Sequence, residues 1–165
     1  MRTSGTIELS ENTRRNPVRA VVNKILEAIA SNVPMLPSQR VWLQRRRGVK
    51  IGKNVFIGSG VLIDQAFPEK ISIGDNATIL AKTIIIAHSI YPKHFKKILK
   101  NKTAAVEICE GTYIGAGAII MPGVKIGKYS VVGAGGVVTK SIPPYSKAVG
   151  SPAKVIGKID KKLVG

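Results

Sequence analysis

The stretch Ile108–Thr139, ICEGTY IGAGAI IMPGVK IGKYSV VGAGGV VT, decides the fold. An aliphatic residue returns every six positions, at Ile108, Ile114, Ile120, Ile126, Val132 and Val138. Gly115, Gly127 and Gly133 follow three of them, with Cys109, Met121 and Thr139 as looser versions of the same step. Four places after each aliphatic stands a small or branched residue: Thr112, Ala118, Val124, Ser130 and Gly136. An α-helix cannot keep that register, because about 3.6 residues per turn carries such a repeat off any one face. Nor can one long strand, which glycine-rich corners would interrupt. The pattern predicts a hexapeptide repeat. Each hexad forms one short strand and one corner of a parallel β-helix, with its leading aliphatic inside.

The same register begins at Ile51 as IGKNVF, IGSGVL and IDQAFP, slips at Glu69–Ser72, and resumes from Ile73 as IGDNAT, ILAKTI and IIAHSI. Between Tyr91 and Ala104 the basic run YPKHFKKILKNKTA lacks it. Insertions in a solenoid leave through a corner as loops, and such loops carry function. The expected organisation is an all-β solenoid over residues 49–142 with a loop at 89–105 projecting after His88. A basic helical segment (1–48) precedes it, and a turn with a basic tail (143–165) follows.

Within the first segment, Val18–Ser31 sets Val18, Val21, Val22, Ile25, Leu26 and Ile29 on one helical stripe, with Arg19, Asn23, Lys24 and Glu27 opposite. Ser38 is placed to cap a second helix that ends at Arg47, before Gly48. Two roles fit these helices. They cover the exposed end of the first coil, as a solenoid requires, or they rest on an anionic membrane with their basic residues toward lipid phosphates.

Lys+Arg 26 against Asp+Glu 9 gives a net charge of +17, which calls for an anionic partner: nucleic acid, a membrane surface or a phosphate-bearing small molecule. No nucleic-acid motif is present and only 5% of residues are aromatic, so little is available to stack bases and no nucleic acid is expected. The single cysteine, Cys109, excludes an intramolecular disulfide and a cysteine-based zinc cluster. The two histidines, His88 and His94, fall short of a three-histidine zinc site unless neighbouring subunits contribute, so no metal is expected. Met1–Arg19 lacks the apolar core of a signal peptide, and no apolar run is long enough to span a bilayer. The expected compartment is the cytoplasm, with peripheral contact at the inner membrane as the variant that the basic helices allow.

Two residues stand out chemically. His88, in IIAHSI directly before the projecting loop, is a candidate general base, with a surface histidine at a loop base as the plainer alternative. Asp64 replaces the step glycine in IDQAFP; it either accepts hydrogen bonds from a polyol or caps the following turn. His94, inside the basic loop, reads as a solvated contact residue.

With His88, the loop and the long final run together, the chain resembles the hexapeptide-repeat acyltransferases. The similarity is to the branch of galactoside and maltose acetyltransferases, nearest to sugar and polysaccharide O-acetyltransferases. The segment from Val106, VEICEGTYIGAGAIIMPGVKIGKYSVVGAGGVVTKSIPPYSKAVGSPAKVIG, carries most of it, with GVKIGKNVFIG and ISIGDN upstream. The resemblance implies a left-handed β-helix, a homotrimer with active sites between neighbouring prisms, and acetyl transfer from acetyl-CoA to a hydroxyl of a saccharide acceptor, a cell-surface polysaccharide or its precursor. It implies His88 as the base that takes the acceptor proton, and Ala116 as both a coenzyme contact and the source of a backbone N–H for the oxyanion. Ala134, Thr139 and Lys140 match residues of the coenzyme A groove, and Lys154 a basic residue near the 3′-phosphate. Tyr113 stands for the family's tryptophan near the thioester arm, and Asp64 matches an acidic position that binds an acceptor hydroxyl. Where the family has Pro-Asn this chain has Ala81-Lys82, so Lys82 is expected to favour a negatively charged acceptor. Direct attack is expected rather than an acyl-enzyme, because no serine or cysteine beside His88 forms an evident nucleophile pair. N-acetylation of an amino sugar and a non-catalytic β-helix binding module are the alternatives.

Overall fold

Three parallel sheets wrap a single aliphatic core, in a computed structural model that describes residues 17–95 and 97–164. The first sheet holds Lys50–Ile51, Ile71–Ile73, Val106–Ile108 and Lys125–Ile126. The second holds Phe56–Ile57, Thr78–Ile79, Tyr113–Ile114, Val131–Val132 and Ser146–Val149, and ends on Lys154–Lys158, which pairs antiparallel. The third holds Leu62–Ile63, Ile84–Ile85, Ile119–Ile120 and Val137–Val138. The chain visits the faces in turn, as a parallel β-helix does, and the helix is left-handed.

The leading aliphatics stack in register along each face. Ile51, Ile73, Ile108 and Ile126 form one ladder; Ile57, Ile79, Ile114, Val132 and Ala148 a second; Ile63, Ile85, Ile120 and Val138 a third. All but Ile51 are buried. Burying each isoleucine or valine of these ladders contributes about 1.5–3 kcal/mol. The glycine after the aliphatic has a steric cause: a Cβ on Gly115 would sit 2.4 Å from the Ala134 nitrogen, and one on Gly127 2.3 Å from that of Pro144. Successive coils touch backbone to backbone there.

The ladder also measures the insertions. Ile108 and Ile126 are 18 residues apart, whereas Ile51 and Ile73 are 22 apart and Ile73 and Ile108 are 35 apart, although each pair is one coil apart. The first excess is the turn around Pro68–Lys70, and the second is the projecting arm. At the arm's base His88–Ser89 pairs antiparallel with Lys102–Thr103.

Helices α1 (Pro17–Asn32) and α2 (Pro37–Arg47) lie over the first coil. Leu36, not Ser38, takes the N-cap of α2: Pro37 suits the first helical position because it has no N–H to satisfy, which leaves Ser38 inside the first turn. The Leu36 N–H donates to Gln39 Oε1 (2.9 Å). Gly48 ends the helix in the left-handed region, at φ 106°.

The orientation of α1 is the reverse of the usual amphipathic one. Glu27 and Ala30 are its buried residues, while Val18, Val21, Val22, Ile25 and Ile29 are exposed. The reason lies in what α1 covers. The first strand of a solenoid sheet has no preceding coil, so alternate backbone groups of Leu62–Ile63 lack a ladder partner. Glu27 Oε1 accepts from the Ile63 N–H (3.1 Å), and Arg47 Nη2 donates to the carbonyls of Ile63 (3.1 Å) and Asp64 (2.8 Å). Arg47 also ion-pairs with Glu27, whose second oxygen accepts from Gln44 Nε2 (2.9 Å). Burial draws the Arg47 guanidinium below its ordinary pKa, and the Glu27 carboxylate opposes that shift. Arg45 serves the first sheet in the same way, donating to the Ile51 carbonyl (3.1 Å). A polar cap thus replaces the missing coil.

Candidate active site

His88 lies on the prism edge between the third and first sheets, where the chain leaves the coil for the arm. Asp64 lies on the same edge one coil earlier, because the Asp64 N–H donates to the Ile85 carbonyl in the stacked coil. Stacking brings the two side chains together although 24 residues separate them: His88 Nδ1 is 2.6 Å from Asp64 Oδ2. The same oxygen accepts from the Ala87 N–H (2.7 Å), and Oδ1 accepts from the N–H groups of Ala66 (2.8 Å) and Phe67 (2.9 Å). Asp64 is 2% exposed. An ionised carboxylate can only accept, so Nδ1 is the ring nitrogen that donates to it, and in the neutral imidazole the lone pair is on Nε2. Nε2 has no hydrogen-bond partner among the described residues, and the imidazole is partly open to solvent. The Phe67 ring meets it edge-on, with centroids 5.4 Å apart and planes at 60°.

Of the two roles expected of Asp64, this geometry shows the cap: its Oδ1 accepts from the turn after the first coil, and its Oδ2 fixes the imidazole.

Five of the remaining expected residues lie on two edges, and Tyr113 and Lys154 lie on strands of the second sheet. Thr139 and Lys140 follow the strand Val137–Val138 and lie, exposed, on the His88 edge. Lys82, Ala116 and Ala134 lie on the edge between the second and third sheets, where the Gly117 N–H donates to the Ala81 carbonyl and the Gly135 N–H to that of Ala116 (both 2.9 Å). Lys82 is exposed and in the left-handed region, at φ 60°, in the turn position that Gly60, Gly117 and Gly135 take in the other coils. The N–H groups of Gly115 and Gly117 are bonded to backbone, whereas that of Ala116, on an exposed turn, donates to no group among the described residues. Tyr113 projects outward from the second sheet, and Lys154 opens the final antiparallel strand. One chain therefore joins Asp64 to His88 but does not bring Ala116 to them.

Sequence reasoning missed the support beneath Asp64. Arg47, held by Glu27, bonds the Asp64 carbonyl, which ties the helical cap to the residue that orients His88. One signal was available: Glu27 is the sole carboxylate in residues 17–50, placed inside an otherwise apolar and basic helix.

Comparison with known proteins agrees with this architecture. Residues 105–140 match the family described as bacterial transferase hexapeptide (six repeats), and residues 48–85 match the hexapeptide repeat of succinyl-transferase. YvoF of Bacillus subtilis (strain 168), provisionally named an acetyltransferase, is 38% identical over 140 residues, 84% of this chain and 77% of YvoF. Other curated relatives are longer, and the chain spans less than half of their length. Among solved structures, a maltose O-acetyltransferase from Clostridium difficile 630 superposes with a TM-score of 0.68 at 25% identity, covering 88% of each chain. A galactoside acetyltransferase in complex with coenzyme A superposes with a TM-score of 0.60 at 27% identity, covering 88% of this chain and 83% of the other. Matched in sequence across most of YvoF and in fold to both sugar-directed enzymes, the chain belongs to the hexapeptide-repeat acetyltransferases.

Proposed function

We propose that this acetyltransferase moves an acetyl group from acetyl-CoA to a hydroxyl of a saccharide, with His88 as general base. The observation that carries the reading is the Asp64–His88 pair: a buried carboxylate holds Nδ1 while the imidazole stays partly open to solvent and Nε2 has no partner among the described residues. In the proposed reaction Nε2 takes the proton of the acceptor hydroxyl as its oxygen attacks the thioester carbonyl carbon. The oxyanion is held by the Ala116 N–H. Collapse breaks the C–S bond, and His88 returns the proton to the leaving coenzyme A sulfur. Positioned base catalysis of this kind contributes roughly 10²–10⁴-fold, and an oxyanion donor a comparable factor.

The donor reading draws on the coenzyme A complex of the galactoside acetyltransferase. It assigns Ala134, Thr139 and Lys140 to the coenzyme groove, Lys154 to its 3′-phosphate and Tyr113 to the thioester arm. Part of the +17 charge then has a defined ligand in the coenzyme's phosphates. Lys82, exposed on the Ala116 edge, favours an acidic saccharide. Because Ala116 and His88 sit on different edges of one prism, the site is completed by a neighbouring copy in a trimer. We place the reaction in the cytoplasm, at or near the inner membrane.

Calorimetric titration with acetyl-CoA, coenzyme A and 3′-dephospho-coenzyme A, with ATP as control, tests the donor assignment. Saturable binding that weakens when the 3′-phosphate is removed is expected. Absence of binding, or affinity equal to that for ATP, overturns it and favours a binding module.

A further inference from the structure

The outward face of α1 has no role in the site. Val18 (66% exposed), Val21 (56%) and Ile25 (53%) lie on it with Val22 and Ile29, and Val33, Leu36 and, on α2, Trp42 are exposed as well. Between the two helices, Val33, Pro34, Met35 and Trp42 line part of an open groove of about 560 Å³. Monomeric proteins rarely leave an apolar stripe of this kind exposed without a use for it.

Charge on the same face limits what covers it. At about 100° per residue, Arg19 and Lys24 fall roughly 110° to either side of the stripe's centre, at its two polar borders. The exposed charges of residues 17–50 are Arg19, Lys24, Arg45, Arg46 and Lys50; the one carboxylate, Glu27, is buried against Arg47. The Arg46 guanidinium lies 5.0 Å from the centre of the Trp42 ring, so the tryptophan has an apolar face and a cationic rim. An apolar stripe bordered by cations, with an exposed tryptophan beside it, suits the boundary between lipid tails and anionic headgroups. No helix among the described residues is long and apolar enough to cross a membrane.

We propose that α1 and Trp42 form a docking face for an anionic lipid bilayer. The stripe enters the headgroup boundary, Arg19 and Lys24 reach phosphates on either side, and the polar inner face of α1 stays on the first coil. The polar cap makes this orientation possible, since Glu27 must face inward to bond the Ile63 N–H.

Sedimentation of the full chain with phosphatidylcholine vesicles, with and without phosphatidylglycerol, tests the proposal by a readout that does not depend on acetyl transfer. The wild type should sediment with the anionic vesicles, less with neutral ones, and less as salt is raised. Val21→Asp combined with Ile25→Asp should lower vesicle affinity by roughly tenfold or more, leaving the melting temperature and acetyl-CoA binding unchanged. Equal binding by wild type and variant, or no preference for anionic vesicles, overturns the proposal. So does a wild type that ignores vesicles while the variant loses mass by light scattering, because the stripe would then lie between copies of the chain.

Discussion

At His88 the proposed chemistry depends on which ring nitrogen carries the proton. Asp64 settles that by accepting from Nδ1, as the orienting carboxylate of a serine-histidine-aspartate triad does. Asp64→Asn keeps the size of the side chain but presents a donor where Nδ1–H and Ala87 N–H need an acceptor. We expect kcat to fall on the order of 10²-fold or more, with the acceptor KM nearly unchanged. A role in acceptor binding would instead raise KM, so the two parameters separate the readings. Cys109 supports a second prediction at this scale. Burial raises its thiol above the ordinary value, and the nearby Glu107 carboxylate acts in the same direction. A raised pKa means less thiolate at any given pH, so alkylation by iodoacetamide should be slow at neutral pH and accelerate only above the range of an exposed thiol. A rate matching that of a free thiol at neutral pH would contradict this. His88 could be picked out in the sequence from its place before a break in the repeat. Asp64 could be named, with the turn cap among its roles, but not as the partner of His88, because the Asp64–His88 contact exists only after one coil stacks on another.

Among the elements, the helices cover the first coil as the sequence led one to expect, but their orientation was open. Periodicity located the stripe on α1 correctly but says nothing about which side is buried. The surface beneath offers backbone donors and acceptors of an edge strand, and a carboxylate with a guanidinium matches those better than valine does. Glu27→Ala should therefore destabilise the protein by about 3–5 kcal/mol, since it leaves the buried Arg47 charge uncompensated. For a chain of this size that corresponds to a fall in melting temperature on the order of 10 °C. Glu27→Gln, which retains an acceptor for the Ile63 N–H, should fall between the two. A melting temperature for Glu27→Ala within about 2 °C of wild type would mean that the helices are not fastened through this pair.

Across the whole molecule, the six-residue ladder made the β-helix legible: each aliphatic at the head of a hexad must point inward for the coils to close, and the glycine after it must admit the next coil. The ladder could also be extended upstream to Ile51 and across the arm, because pairing resumes in register at Val106–Ile108. What could not be read from one chain's repeats is how its two functional edges meet. The proposed trimer makes a direct prediction. His88→Ala and Ala116→Pro, which removes the backbone N–H, should each be inactive alone. Co-expressed, they should regain part of the activity, because some interfaces then carry both wild-type residues. No recovery in mixed trimers would place the whole site within one subunit.

The most direct test of the proposed reaction compares wild type and His88→Ala in acetyl-CoA-dependent thiol release with acidic and neutral saccharides, alongside calorimetric affinity for acetyl-CoA. Acceptor-dependent turnover by the wild type is expected, with a loss of roughly 10²–10⁴-fold in kcat for the variant and equal acetyl-CoA affinity in both. Turnover by His88→Ala at the wild-type rate would contradict the proposed reaction.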